Sequence, residues 1–236
     1  MNRIPEGISG SRVLVTCSVQ VAAGLLPRLR QAGAVPTHVP LVEIRDPADG
    51  FASLDSVISR LSSFSWIVFT SRNGVSAFFS RLRGAKVPDR ISFAAVGRGT
   101  AEELSRHGFI ASVVPERQDA EGLLSALVER LAKGESVLWP RAHDVRDVLA
   151  PGLRGAGVAV EEVVSYVTAM PEDLDAVKFV EMIEAGEFDA VLFDSPSAVK
   201  NFVEIVGRER AGAFSCRTKF VSIGPVTEEA VRKEIG

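Results

Sequence analysis

Short apolar runs alternate along the chain with longer segments in which apolar residues recur at helical spacing. Turn residues bound the runs, and nearly continuous apolar runs of this kind are typical of strands buried on both faces of a parallel sheet. They lie at Arg12–Thr16, Trp66–Thr70, Ser92–Val96, Ser136–Trp139, Ala190–Phe193 and Phe220–Ile223. The alternation of strands with helices predicts an α/β fold built with right-handed crossovers.

Two of the helical segments carry the same apolar stripe. One follows Ser71 and the other follows Ser197, and in both the apolar residues stand at spacing i, i+3, i+4 and i+7. The residues are Val75, Phe78, Phe79 and Leu82 in the first and Val199, Phe202, Val203 and Val206 in the second. Each stripe covers one face of a helix, which predicts that this face packs on the sheet.

The two parts of the chain resemble each other. Val13-Leu14-Val15 matches Val137-Leu138-Trp139 at an offset of 124 residues, and Phe69–Val75 matches Phe193–Val199 at the same offset. After three residues of slippage, Val96–Thr100 aligns with Ile223–Thr227. The pattern predicts an internal duplication, with one copy near residues 12–134 and the other near residues 136–236.

Two segments interrupt the alternation of strands and helices. Pro36–Arg45 and Ala159–Met170 are extended and rich in β-branched residues, and they occupy equivalent places in the repeat. Their composition favours strands. We interpret them as a two-stranded connector between two domains.

The composition and charge of the chain argue against several classes of protein. The 27 Lys and Arg against 30 Asp and Glu give a formal net charge of −3, which argues against a general nucleic-acid binder. Met1–Gly10 lacks the apolar core of a signal peptide, and no uninterrupted apolar run is long enough to span a membrane. Cys17 and Cys216 are too few for a disulfide scaffold, and no histidine pair has zinc-ligand spacing. We therefore expect a cytoplasmic protein without a metal cofactor.

Four strand-to-helix turns are rich in hydroxyl groups and small residues. They are Ser71–Gly74, Gly97–Thr100, Asp194–Ser197 and Gly224–Thr227. Ligands of open parallel sheets bind beyond the carboxyl ends of the strands, where helix starts present free N–H groups that suit carboxylates or phosphates. A Ser or Thr in such a turn also serves simply as a helix cap. Four turns in two related pairs favour a shared anionic ligand.

Several familiar signatures are incomplete. Gly97–Glu102 has the first two glycines of a dinucleotide-binding turn, but Glu102 occupies the place of the third. Ser197–Lys200 has S-x-x-K spacing without the companion motifs of acyl-transfer enzymes. His143-Asp144 suits acid–base chemistry, although a turn or helix start explains the pair equally well. Conventional nucleophilic catalysis therefore has no candidate in the sequence.

Three residues stand out by position. Arg141 follows a predicted strand and Arg146 begins the next helix, so both are candidates for the ligand edge of the sheet, while a solvated surface explains each equally well. Tyr166 is the only tyrosine and lies in the second connector. Its phenol either donates a proton or fills a packing contact.

The motifs together resemble the uroporphyrinogen-III synthase family over nearly the whole chain. The resemblance rests on Phe69–Val75, Ala95–Ala101, Val114-Pro115, Glu121–Leu124, Tyr166-x-Thr168, Ser195–Ser197 and Ile223–Thr227. Each motif is weak alone, but their order and the duplicated layout are fairly specific.

The resemblance implies two parallel-sheet, flavodoxin-like α/β domains joined by a two-stranded β-ladder. Domain 1 would combine residues 1–37 and 171–236, domain 2 would span residues 46–158, and the ladder would comprise residues 38–45 and 159–170. The family binds linear hydroxymethylbilane between its domains, removes the ring A hydroxyl as water, inverts ring D through a spirocyclic intermediate and closes the macrocycle. The resemblance further implies a monomer without cofactor, and a transient hand-off from the bilane-forming enzyme.

The resemblance also implies site residues. Tyr166 matches the family's usual candidate for the proton donor. The implied substrate-binding residues are Ser71, Arg72, Asn73, Gly99, Thr100, Arg141, Arg146, Ser195, Ser197 and Thr227.

The chain departs from the family pattern at Cys17, where many members carry Arg, and at Asp194, where many carry Thr. These departures motivate an alternative, a non-catalytic two-domain protein that binds an anionic small molecule. A pair of receiver-like signalling domains is a weaker option, because no acidic cluster follows the first strand.

Overall fold

The computed structural model describes residues 7–145 and 148–236 of the chain. The chain forms two compact units: unit 1 extends to Glu43 and resumes from Ala169 to Gly236, and unit 2 spans Ile44–Thr168. Helices alternate with strands that pair in parallel, so the predicted α/β class is confirmed.

Strands form at each of the predicted apolar runs. The strands are β1 (Arg12–Val15), β2 (Val35–His38), β3 (Glu43–Arg45), β4 (Trp66–Phe69), β5 (Ser92–Ala95), β6 (Ser136–Ala142), β7 (Ala159–Ala169), β8 (Ala190–Phe193) and β9 (Lys219–Ser222). Unit 1 contains a sheet in the order β2-β1-β8-β9, and unit 2 contains a sheet in the order β3-β7-β6-β4-β5.

Helices occupy most of the segments between the strands. They are α1 (Val19–Gln31), α2 (Ala52–Ile58), α3 (Arg72–Leu82), α4 (Arg98–Arg106), α5 (Ala120–Val128), α6 (Leu149–Gly155), α7 (Ala176–Glu184), α8 (Pro196–Val206), α9 (Arg208–Ser215) and α10 (Pro225–Glu234), with a 3₁₀ turn at Leu61–Ser63. No helix within the described part of the chain is long and apolar enough to cross a membrane.

The two sequence copies exchange their strands between the sheets. The order β2-β1-β8-β9 in unit 1 corresponds to β7-β6-β4-β5 in unit 2. Unit 1 therefore joins the first strands of the first copy to the last strands of the second copy, and unit 2 makes the reverse combination.

Both faces of each sheet are covered. Successive side chains of a strand point to opposite faces, so Leu14 of β1 packs with Phe193 and Phe202 while Val15 packs with Leu29 of α1. The residues of β4 divide between two core clusters in the same way. Because helices cover both faces, the strand ends are the edges of each sheet that remain open to ligands.

The segment predicted as one strand over Pro36–Arg45 is divided between the two sheets. β2 pairs in parallel with β1, and β3 lies beside β7. Pro40 lies between them and has no N–H group to donate to a ladder, which accounts for the break.

The second predicted connector segment is a strand of the unit 2 sheet for most of its length. β7 pairs in parallel with β6 from Ser136 opposite Ala159 to Ala142 opposite Tyr166. The other edge of β7 faces β3, so the β3–β7 pair is part of this five-stranded sheet. A connecting role for the contact between β3 and β7 stays a prediction, as do the domain boundaries.

Candidate functional site

Ser71 and Tyr166 meet at the carboxyl edge of the unit 2 sheet. Ser71 follows β4 as the N-cap of α3, with an extended backbone (φ −158°), and its Oγ accepts a hydrogen bond from the Gly74 N–H at 3.0 Å. The Tyr166 phenol donates a hydrogen bond to the same Oγ at 2.8 Å. One hydroxyl thus caps the helix and holds the phenol.

Tyr166 is fixed by its strand and by its burial. Only 8% of the residue is exposed, and its carbonyl oxygen accepts a hydrogen bond from the His143 N–H at 3.0 Å. Burial raises the pKa of the phenol because the phenolate would lose its hydration, and the hydrogen bond with Ser71 opposes part of this rise. The phenol is therefore protonated at neutral pH.

Arg72 and Gly99 bring the starts of α3 and α4 together. The Arg72 guanidinium lies against Gly99, where a Cβ atom would stand 2.5 Å from Nη2 and 2.8 Å from Nε. The α4 start is closed by Gln118, whose Oε1 accepts a hydrogen bond from the Arg98 N–H at 2.9 Å. A cation therefore lies beside two helix N-termini, which themselves favour anions.

Asn73 and Thr100 occupy the first turns of the same two helices. Asn73 is half-buried in α3, and Thr100 is buried in α4 with its N–H donating to the Gly97 carbonyl oxygen at 3.1 Å. The structure thus brings five of the candidate residues, from Ser71–Asn73 and from Gly99-Thr100, to one edge of unit 2.

The Arg141 guanidinium already contacts a carboxylate and two carbonyl groups within unit 2. Its Nε lies 2.8 Å from Oε2 of Glu162, and its Nη1 donates to the carbonyl oxygens of Ala142 and His143, each at 2.9 Å. Glu162 also pairs with Arg154 at 2.9 Å. The charge of Arg141 is therefore compensated by a carboxylate, so it has less capacity for a substrate carboxylate than its position in the sequence indicated.

The His143-Asp144 pair adds little to the site. His143 and Asp144 form an exposed pair with Nδ1 and Oδ1 3.1 Å apart, which is the geometry of a local turn contact. Arg146 lies outside the described residues.

Unit 1 repeats the helix-start geometry at its own carboxyl edge. Ser195 is the N-cap of α8, and its Oγ accepts a hydrogen bond from the Ala198 N–H at 3.3 Å. Ser197 is half-buried in the first turn of α8. Thr227 is 3% exposed and lies in the first turn of α10, which follows Gly224 with a φ of 100°.

Cys17 contributes no charge to the unit 1 edge. Burial, together with the nearby negative charge of Asp194, raises the pKa of the Cys17 thiol to about 12. The thiol is therefore neutral at physiological pH and is neither a cation nor an activated nucleophile.

Two contacts that shape the site were not predicted from the sequence. Glu162 neutralises Arg141, and Gln118 caps α4, yet neither residue belongs to a recognisable motif. Glu162 was detectable only as one of two adjacent acidic residues in a predicted strand, and Gln118 carried no signal because its partner lies 20 residues away.

Comparisons with known proteins agree with this architecture. Residues 23–235 match the family described as uroporphyrinogen-III synthase HemD. The uroporphyrinogen-III synthase of Synechococcus elongatus is 28% identical over 98% of this chain and 89% of its own length.

Solved structures show the same fold. A mutant uroporphyrinogen III synthase from Thermus thermophilus superposes with a TM-score of 0.67 at 17% identity, over 95% of this chain and 89% of its own. The uroporphyrinogen-III synthetase of Helicobacter pylori has a TM-score of 0.57 at 19% identity, over 94% and 88% of the two chains. Because the family match extends over most of the sequence, the chain belongs to the uroporphyrinogen-III synthase HemD family.

Proposed function

We propose that the chain is a lyase that dehydrates and cyclises hydroxymethylbilane to uroporphyrinogen III, with inversion of ring D. Membership of the family supports this activity, and one observation of the structure supports it further. The buried, protonated Tyr166 phenol is held 2.8 Å from Ser71 Oγ at an edge formed by helix starts. That arrangement supplies an acid beside groups that bind carboxylates.

The chemistry requires only a mild acid. The pyrrole nitrogen of ring A pushes out the hydroxyl and leaves an azafulvene cation, while the acid supplies the proton that turns the leaving hydroxyl into water. A positioned general acid accelerates such a step by ~10²–10⁴-fold. We assign Tyr166 as the source of this proton, because its phenol is protonated at neutral pH and donates a hydrogen bond to Ser71 at the helix-start edge.

Orientation decides which isomer forms. Closure without inversion is the competing spontaneous reaction, so the protein must hold the flexible bilane with ring D presented for attack through the spirocyclic intermediate. Its eight carboxylates accept hydrogen bonds from helix-start N–H groups and hydroxyls. We assign this role to Arg72, Asn73, Gly99 and Thr100 in unit 2 and to Ser195, Ser197 and Thr227 in unit 1, while the Ser71 hydroxyl is engaged by the Tyr166 phenol.

The same proposal includes the localisation of the enzyme, its oligomeric state, its lack of a cofactor and the source of its substrate. We propose that it works in the cytoplasm as a monomer, uses no cofactor and receives the bilane from the enzyme that forms it. The small number of cysteines and the family membership support these points.

A coupled assay tests the activity directly. The purified chain is supplied with hydroxymethylbilane made in place by the bilane-forming enzyme, and the products are oxidised and separated by isomer. We expect the type III isomer to predominate. A proportion of type I equal to that of the sample without the chain would overturn the proposal and favour the non-catalytic binding protein.

Replacing Gly99 by Ala tests whether binding depends on the position of the Arg72 guanidinium. The added Cβ would stand 2.5 Å from Nη2 and displace the guanidinium. We expect the Kd for uroporphyrinogen III to rise about tenfold, because a hydrogen bond to a charged group contributes ~1.5 kcal/mol. Calorimetric titration measures this. Gly24→Ala in α1, where nothing lies within 4 Å of the new Cβ, is the control and should bind as the wild type does.

Replacing Thr227 by Ala tests the unit 1 edge. We expect the Kd for uroporphyrinogen III to rise about tenfold, because one hydroxyl–carboxylate hydrogen bond involves a charged group and contributes ~1.5 kcal/mol. Thr218→Ala is a matched control, since Thr218 is also 3% exposed but precedes β9 and bonds the Phe188 carbonyl. Wild-type affinity of the Thr227 variant in a calorimetric titration would remove this residue from the site.

A further inference from the structure

The Ser71 hydroxyl has both of its acceptor positions filled. It accepts from the Gly74 N–H at 3.0 Å and from the Tyr166 phenol at 2.8 Å. A hydroxyl has two lone pairs and one proton to donate. The Ser71 proton is therefore left to be donated to a third group. Ser71 follows the end of β4 and is half-buried, whereas Tyr166 lies within β7 and is buried, so the serine is the more accessible residue of the pair.

The duplication shows that the fold itself does not require this pair. Ser195 is the repeat equivalent of Ser71 and caps α8 in the same way. The residue 124 positions before Tyr166 is Val42, a buried member of the unit 1 core. The serine cap is thus present in both units, while the phenol behind it is present in unit 2 and replaced by an apolar side chain in unit 1.

We infer that Ser71 donates the proton to the leaving hydroxyl and that the Tyr166 phenol then reprotonates Ser71. This inference rests on the proposed function. The C–O bond of the ring A hydroxymethyl group breaks, the Ser71 proton joins the departing oxygen to form water, and Ser71 takes the phenol proton. The proton that a ring carbon loses when the macrocycle closes returns through Ser71 to the phenolate, so no proton is gained or lost beyond the water released.

Ser71→Gly is the informative variant, because glycine at an N-cap costs the helix only a few tenths of a kcal/mol. In single turnovers we expect its rate of type III formation to fall about 100-fold or more. In steady-state assays we expect KM to change less than about threefold. Ser71→Thr keeps the hydroxyl and an extended backbone, and should retain activity within about tenfold of the wild type. Asp175→Gly removes the cap of α7 without touching this site and should leave turnover unchanged.

Direct donation by Tyr166 gives different results. It predicts that Ser71→Gly keeps at least about a third of the wild-type rate, and that result would overturn the inference. The relay predicts that adding Tyr166→Phe to Ser71→Gly lowers the rate no further. It also predicts a curved proton inventory for the wild type, since two protons move together; a linear inventory contradicts it. Absence of type III product from the wild type would instead refute the proposed function.

Discussion

Tyr166→Phe is expected to lower kcat for type III formation by ~10²–10⁴-fold, because it removes the acid and little else. The phenyl ring fills the same buried space, and Ser71 keeps its hydrogen bond from Gly74. We expect KM to change little and the circular dichroism spectrum to stay that of the wild type. The turnover assay separates isomers, so the spontaneous type I background does not mask the loss. An unchanged turnover number would dismiss Tyr166 as proton source.

The pH dependence gives a second test of the same residue. Burial raises the pKa of Tyr166 above 10.0, so the phenol stays protonated to higher pH than an exposed tyrosine. The ratio of wild-type to Tyr166→Phe turnover should therefore be flat from neutral pH to about 10 and fall only above that. Because the chain contains one tyrosine, an ultraviolet difference titration monitors this phenol alone. An ionisation midpoint below 10 would contradict the burial argument.

Local patterns predicted the strands and helix starts well, for a physical reason. A strand buried on both faces must be apolar throughout, so β4 and β8 were evident as continuous runs. Ser71 and Ser195 stand where a strand gives way to a helix, and a serine there satisfies a free N–H group. These properties depend on neighbouring residues and are therefore legible in the sequence.

Contacts between residues far apart in the sequence could not be predicted from such local patterns. Tyr166 and Ser71 are 95 residues apart, and nothing in either motif indicates the other. Arg141 had the position of a ligand-binding cation, but whether its charge is compensated depends on the strand that pairs with β6 and brings Glu162 beside it. The exchange of strands between the sheets has the same origin, because the pairing of distant strands is set by packing of the whole unit.

Phe202→Ala is expected to destabilise unit 1 by ~3–5 kcal/mol, because it empties the centre of an aromatic cluster. Phe202 is fully buried in α8 and lies edge-on to Phe193 and Phe220, with ring centroids 5.4 Å and 5.6 Å away. Phe179 also packs edge-on against it at 6.0 Å. Removing the ring forfeits these contacts and leaves a cavity that the sheet cannot close.

Urea unfolding followed by circular dichroism measures this loss. Val177→Ala on α7 is the control, since Val177 is 71% exposed and its truncation should change the free energy of unfolding by less than ~0.5 kcal/mol. A loss below about 1 kcal/mol for Phe202→Ala would mean that the neighbouring rings collapse into the space. In that case the unit 1 core would be able to repack. It would then not hold the helix starts at Ser195 and Thr227 in the fixed positions that binding of a substrate with several carboxylates requires.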